Sequence, residues 1–205
     1  MSEHNPTVFI IDDDGVVRDT IGQLVETVDL NSKTFASAEE FLASYDPIQS
    51  GCLVLDVRMP GISGLKLQSR LKENNAHIPI IFISGHGDIQ MAAQAFKNGA
   101  VDFIEKPFRN QVLLDQIQEA IARDTQLRQK QTIRKAARDK LESLTQREQE
   151  VLDLVTAGNA NKVIATKLEL SQRTVEVHRA SIMEKLQVDS VAELVTLVGG
   201  ANDMQ

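Results

Sequence analysis

The feature that most constrains this chain is the run Cys52-Leu-Val-Leu-Asp56-Val-Arg58-Met-Pro60-Gly61. Leu53, Val54 and Leu55 form an uninterrupted apolar segment that delivers one carboxylate and then breaks at Pro60-Gly61. A short apolar run closed by turn signals reads as a strand buried on both faces, the habit of parallel sheets. Asp56 then stands at the carboxyl end of a central strand, the edge where open α/β sheets bind ligands. The competing reading is a carboxylate that only caps the following turn. This stretch alone does not separate the two.

Four more strands are predicted around it. Val8–Ile11 is a buried strand that ends in Asp12-Asp13-Asp14, and an amphipathic helix follows from Gly15 to about Asp29. A short strand is expected near Lys33–Ala36, then a helix to Tyr45 capped by Ser37, with Glu39 and Glu40 in its first turn. A helix carrying Leu65, Leu67 and Leu71 follows Gly64. The next strand, Ile78–Ile83, has Pro79 near its start and runs into Ser84-Gly85-His86-Gly87. Asp88 is expected to cap a helix that Gly99 stops. Val101–Ile104 is the fifth strand, ending in Glu105-Lys106-Pro107-Phe108, and a long helix begins near Asn110. Strands alternating with helices give a five-stranded, parallel, doubly wound α/β sheet, and right-handed crossovers put every carboxyl end on one edge. Asp12, Asp13, Asp56, Ser84 and Lys106 should therefore meet there.

Three carboxylates at one point repel unless a cation sits among them. Oxygen donors without His or Cys favour a hard ion, and Mg²⁺ is the one expected. Lys106 suits a phosphate or a carboxylate partner, and a carboxylate flanked by cations can attack a phosphoryl donor. The plainer reading has Lys106 pairing with the acidic cluster at rest, which does not exclude the phosphoryl role. Residues 7–123 resemble the receiver domain of response regulators: an acidic pair after the first strand (Asp12-Asp13), Asp56 at the third, Ser84 after the fourth and Lys106-Pro107 after the fifth. The resemblance implies that Asp56 is the phosphoacceptor. It also implies that Asp13, Asp56 and the Arg58 carbonyl bind Mg²⁺ directly, with Asp12 acting through water. Ser84 would bond the phosphoryl oxygen, Phe103 would be an aromatic rotamer switch, and the Lys106-Pro107 bond would be cis.

Composition narrows the classes further. No apolar run approaches a membrane span of ~20 residues, and the opening residues lack a basic start and apolar core, so a cytoplasmic protein without a signal peptide is expected. The single cysteine, Cys52, reads as core, and four scattered histidines offer no zinc constellation. The net charge of −7 falls entirely in residues 1–123, while the remainder is neutral with a local basic cluster. The acidic front half suits a cation site, and the back half is compatible with nucleic acid.

Residues 124–140 contain no Gly or Pro and many strong helix formers. They read as a solvated helical linker; alternatively, Leu127, Ile133 and Ala137 pack against a partner or the other domain. Residues 141–205 carry signals for four helices. Thr145 and Glu148 form a capping box ahead of a helix to Ala157 and Gly158; Asn161–Leu168 is a second helix; Ser171 caps a third to about Leu186; Ser190 caps a fourth. The short turn Glu169-Leu170-Ser171 gives helix-turn-helix spacing, which any αα-hairpin shares. Leu-Thr-Gln-Arg-Glu-Gln-Glu-Val-Leu at 144–152, Asn161-Lys-Val-Ile-Ala165, Arg173-Thr-Val-Glu-Val-His-Arg179 and Lys185-Leu186 resemble the LuxR-type DNA-binding domain. That likeness implies a helix-turn-helix over Asn161 to Ala180. Arg173, Thr174, Glu176, Val177, Arg179 and Ala180 would face the major groove, and Lys162 and Lys185 would meet phosphates. Arg179 suits a guanine and Val177 a thymine methyl, while Glu176 could accept from cytosine or hold Arg179.

The two halves together are similar to the NarL/FixJ class along nearly the whole chain, with a receiver at 1–123, a linker at 124–140 and the DNA-binding domain at 141–205. The runs at 84–88, 100–108 and 173–179 are close to the nitrogen-fixation branch typified by FixJ. This implies a phosphorylation-activated transcriptional activator of nitrogen-fixation genes. Its implied partners are promoter DNA, RNA polymerase, a FixL-like haem oxygen-sensing histidine kinase, and a second copy of itself when phosphorylated. A sister regulator with another stimulus and regulon is the alternative. An aspartyl phosphatase would want an Asp-x-Asp motif at the first strand and a cap insertion, and neither is evident. An RNA-binding antiterminator and a protein-interaction output are the other competitors, the first disfavoured by the helix-turn-helix pattern.

Overall fold

The computed structural model describes residues 5–85 and 89–202, so the cap expected at Asp88 lies outside the described residues. The chain divides into two compact units, residues 1–128 and 129–205. In the first, β1 (Thr7–Ile11), β2 (Asn31–Phe35), β3 (Gly51–Asp56), β4 (Ile80–Ser84) and β5 (Asp102–Glu105) alternate with α1 (Gly15–Glu26), α2 (Ala38–Ser44), α3 (Gly64–Glu73), α4 (Ile89–Lys97) and α5 (Asn110–Glu142). Every pairing is parallel and the order is β2-β1-β3-β4-β5. Side-chain alternation along the strands sorts the interior into two layers. Phe9, Ile11, Leu53, Leu55 and Phe82 pack with Phe41, Leu67, Leu71 and Ala95 of α2, α3 and α4. Val8, Ile10, Cys52, Val54, Ile81 and Ile83 pack with Ile21, Val25, Leu113 and Ile117 of α1 and α5. Burying a side chain of this size contributes roughly 1.5–3 kcal/mol, which makes these layers the main source of the sheet's stability.

Register does the positioning. Ile11 pairs with Leu55, Asp56 with Ile83, and Ser84 with Glu105. Asp12, Asp56, Ser84 and Lys106 therefore fall at neighbouring strand ends.

Several boundaries differ from those read from the sequence, for local reasons. The fourth strand starts at Ile80, not Ile78, because Pro79 has no N–H to give the ladder and contributes only its carbonyl, to Leu53 N at 2.9 Å. The second strand occupies Asn31–Phe35, not 33–36, because Asn31 pairs with Thr7 and the Ala36 N–H donates to the Glu40 carboxylate at 2.7 Å. The first helix stops at Glu26, and the chain leaves it through Asp29 at φ 56°.

The second unit contains α6 (Gln146–Thr156), α7 (Asn161–Lys167), α8 (Gln172–Leu186) and α9 (Val191–Asn202). The expected count of four helices is corrected to five, because α5 runs unbroken to Glu142 and Leu141 packs on this unit's core of Val151, Leu152, Ile164, Val175 and Ile182. With no Gly or Pro between 110 and 142, nothing in the sequence ends the helix sooner. Between α7 and α8 the chain turns at Glu169, whose φ is 56°, and Ser171 caps α8 through the Thr174 N–H. Among the described residues no helix is long and apolar enough to cross a membrane.

Candidate functional site

The strand-end cluster is built around one ammonium. Lys106 Nζ lies 2.6 Å from Asp12 Oδ2 and 2.8 Å from Asp56 Oδ1, pairing with both carboxylates. Asp12 and Asp56 are almost fully buried, as is Ser84. The remaining oxygens are held by backbone: Asp56 Oδ2 accepts from Arg58 N at 2.7 Å, and Asp12 Oδ1 from Asp14 N at 2.9 Å. The Lys106 N–H donates to the Ser84 carbonyl at 2.7 Å, which fixes the fifth strand's end against the fourth, and the Lys106-Pro107 bond is cis. Burial pushes the Asp56 carboxyl above its ordinary range; Lys106 opposes the shift and Asp12 reinforces it. Burial would lower the Lys106 pKa, but its hydrogen bonds to Asp12 and Asp56 outweigh that and hold it above its ordinary value.

The structure does not bring three carboxylates together as expected. Among the described residues no set of three His, Cys, Asp or Glu side chains converges as a metal cluster. Asp13 and Arg58 are exposed, and the cation between Asp12 and Asp56 is Lys106 itself. Phe103 is half-buried, its ring 6.2 Å from that of Phe82. Gly64 is a residue that sequence reasoning passed over. A Cβ there would lie 2.3 Å from the Asp56 carbonyl oxygen, so only glycine lets α3 start this close to the carboxylate-bearing strand. Its signal was visible as the glycine that opens the helix after Pro60-Gly61.

On the second unit, Arg173, Glu176, Val177 and Ala180 follow helical spacing along α8 and are all exposed, as is Lys162 on α7. Val177 is 61% exposed, an apolar side chain standing in water among charged neighbours. Thr174 is half-buried beside its cap. Arg179 is tied to α7, donating to Asn161 Oδ1 at 3.0 Å. Lys185 reaches inward to Glu148 Oε2 at 2.7 Å rather than standing free. Glu148 also accepts from Ser181 Oγ at 2.7 Å and from the Thr145 N–H at 2.8 Å, so the capping box is joined to α8. These donors, Lys185 foremost, hold its carboxyl far below the usual range, at about 2.

A second network not foreseen from the sequence lies on α5. Asp124 is buried and accepts from Gly51 N at 3.0 Å and from Arg128 Nε at 2.7 Å. The Arg128 guanidinium also donates to the carbonyls of Pro47, Ile48 and Gln49. Residues 124 to 128 thus hold the loop that enters β3. Their only signal was an Asp and an Arg four apart on a helix, which describes many solvated pairs.

Comparison with known proteins assigns both units. Residues 8–118 match the response regulator receiver domain, and residues 142–198 match the bacterial regulatory proteins of the LuxR family. The transcriptional regulatory protein TdiR of Thauera aromatica is 46% identical over 94% of this chain and 85% of its own length. The response regulator protein TodT of Pseudomonas putida is 44% identical over 99% and 89%. The solved structure of response regulator StyR superposes with a TM-score of 0.88 at 45% identity, over 95% of this chain and 98% of that one. The chain belongs to the response regulators that join a receiver to a LuxR-type helix-turn-helix domain. It is a phosphorylation-regulated DNA-binding protein of a two-component system, working with a cognate sensor histidine kinase and promoter DNA, and its class is not one of classical enzymes. The likeness to FixJ is not singled out: regulators of that name match at 40% and 38% identity, below TdiR and TodT.

Proposed function

We propose that Asp56 is the phosphorylated residue and that its modification promotes pairing of two copies and binding to promoter DNA. The observation that carries this is the strand register, which lines up Asp12, Asp56, Ser84 and Lys106 and leaves the ammonium within 2.8 Å of the Asp56 oxygen. An Asp56 oxygen attacks the phosphorus of the kinase's phosphohistidine, the P–N bond breaks, and the electron pair leaves with the imidazole. Lys106 faces the new phosphoryl oxygens, Ser84 donates its hydroxyl to one of them, and Phe103 turns inward behind it. The chemistry of the donors, oxygen only, suits a hard divalent ion, and Asp12, Asp13 and Asp56 with the Arg58 carbonyl would hold Mg²⁺. When bound, that ion supplies neutralisation of the transferring oxygens.

Residues 124–140 serve as the connector between receiver and DNA-binding domain, with 124–128 also bracing the receiver. On the second unit, Arg173, Thr174, Glu176, Val177, Arg179 and Ala180 read the major groove. Lys162 meets phosphates; Lys185 does so only with the two hydrogens left over from its bond to Glu148. The bound dimer recruits RNA polymerase. The regulon and stimulus are those of a sister regulator distinct from the nitrogen-fixation branch, a reading supported by the higher identity to TdiR and TodT than to FixJ. A FixL-like haem kinase is accordingly no part of it.

The test is intact mass and light scattering on wild type and Asp56→Asn, each incubated with acetyl phosphate and Mg²⁺. One phosphoryl adduct and a shift toward dimer, in wild type only, is the expected result. An adduct of the same yield on Asp56→Asn would overturn the assignment of the acceptor. Sequencing the DNA fragments retained by the phosphorylated protein then identifies the regulon.

A further inference from the structure

Within the second unit, α5 and α9 leave a groove of about 800 Å³ between them. Ile133, Ala137 and Lys140 line it from α5; Ala192, Thr196 and Leu197 line it from α9. The size is that of a cleft for a small organic molecule. Its lining is apolar apart from a few groups, and those are unevenly balanced in charge. Arg134 is half-buried on the groove wall and, among the described residues, has no hydrogen-bond or ion-pair partner. Lys140 donates to the Leu186 carbonyl at 3.1 Å and, among the described residues, meets no carboxylate. Among the described residues the one acid on the wall, Glu193, is already engaged by the Asp189 N–H and the Ser190 hydroxyl, at 3.0 and 3.2 Å. An apolar cleft with an unpaired guanidinium beside it lacks one thing, an anion attached to an apolar body.

We propose that this groove binds a small amphipathic anion, an aryl or medium-chain alkyl carboxylate or sulfonate. The apolar body lies against Ile133, Ala137 and Leu197, and the anionic head meets Arg134. A guanidinium is suited to this role because its planar fork presents two parallel donors to a carboxylate or sulfonate. Bound there, such a molecule bridges α5 and α9 and stabilises the end of α5 on this unit.

The experiment uses the full chain with anilinonaphthalene sulfonate as a fluorescent probe, competed by octanoate and by octanol. Saturable probe binding is expected, with octanoate at least about tenfold more effective than octanol, since the head group makes charge-assisted bonds. Arg134→Gln weakens octanoate by about tenfold and leaves octanol unchanged. Ala137→Phe, which fills the cleft, abolishes probe binding, while the thermal midpoint of each variant reports that the fold is intact. Equal displacement by octanoate and octanol overturns the proposal, and so does undiminished probe binding by a folded Ala137→Phe. Light scattering on the same samples separates the remaining rival. If probe binding falls as protein concentration rises and the mass doubles, a second copy covers the groove and the small-anion reading is wrong.

Discussion

Replacing Glu148 by Gln should uncouple the stability of the second unit from pH. The Glu148 carboxylate, 4% exposed, serves Thr145, Ser181 and Lys185 at once, and its pKa falls from 4.5 to about 2. A displacement of that size corresponds to about 3 kcal/mol, reduced to about 2 kcal/mol because the Lys185 partner is partly exposed and screened. The sign follows from the direction. A carboxyl depressed on folding stabilises fully above its unfolded pKa, near 4.5, and that stability is lost as pH falls through about 2. The chain offers a clean assay, because all seven Phe and the lone Tyr lie before residue 109 and there is no Trp. Tyrosine fluorescence during urea unfolding therefore follows the first unit alone, whereas far-ultraviolet circular dichroism follows the helices of both. Glu148→Gln should lower the second unit's stability by about 2 kcal/mol at neutral pH, with the deficit closing between pH 4.5 and 2. The fluorescence transition should not move. A deficit that persists unchanged to the acid end would refute the argument, since the loss would then come from packing and not from the charge.

Two further substitutions test the scaffold of the strand-end cluster. Gly51→Ala places a Cβ 1.8 Å from the Thr7 carbonyl oxygen on a backbone at φ 147°, so the first unit should lose about 3 kcal/mol or more, read as an earlier tyrosine transition in urea. Arg128→Met keeps the aliphatic stem but removes the bonds to Asp124 and to the carbonyls of residues 47–49, and should cost the first unit about 2–3 kcal/mol. Burial already raises the Tyr45 pKa and Arg128 opposes that rise, so the same variant should raise it further, measured by ultraviolet absorbance titration. An unchanged Tyr45 titration would mean that the guanidinium does not act on this side of the sheet.

What could be read in advance tracks how local the cause is. Leu53-Val54-Leu55 announces a doubly buried strand because burial on both faces removes alternation, and parallel register then carries Asp12, Asp56, Ser84 and Lys106 to one edge with no further information needed. The capping box at Thr145 and Glu148 was equally plain, since it lies within four residues. The other bonds of Glu148 reach thirty-three and thirty-seven residues away, to Ser181 and Lys185, and no period encodes them. For the same reason Lys185 reads from the sequence as a phosphate contact, and Asp124 as the first residue of a solvated connector, when it is a buried acceptor for Gly51.

The shared ammonium of Lys106 has an arithmetic consequence. At rest Asp12, Asp56 and Lys106 together carry a net formal charge of minus one. In the proposed function, joining a phosphoryl group to Asp56 would replace its single charge by one approaching two, while Lys106 contributes no more than before. Before any divalent ion is counted, the proposed message is therefore a surplus of about one electron charge beside two buried carboxylates whose resident cation was already divided between them. Whatever part of the chain can bring that cluster another hydrogen-bond donor is the part that will move.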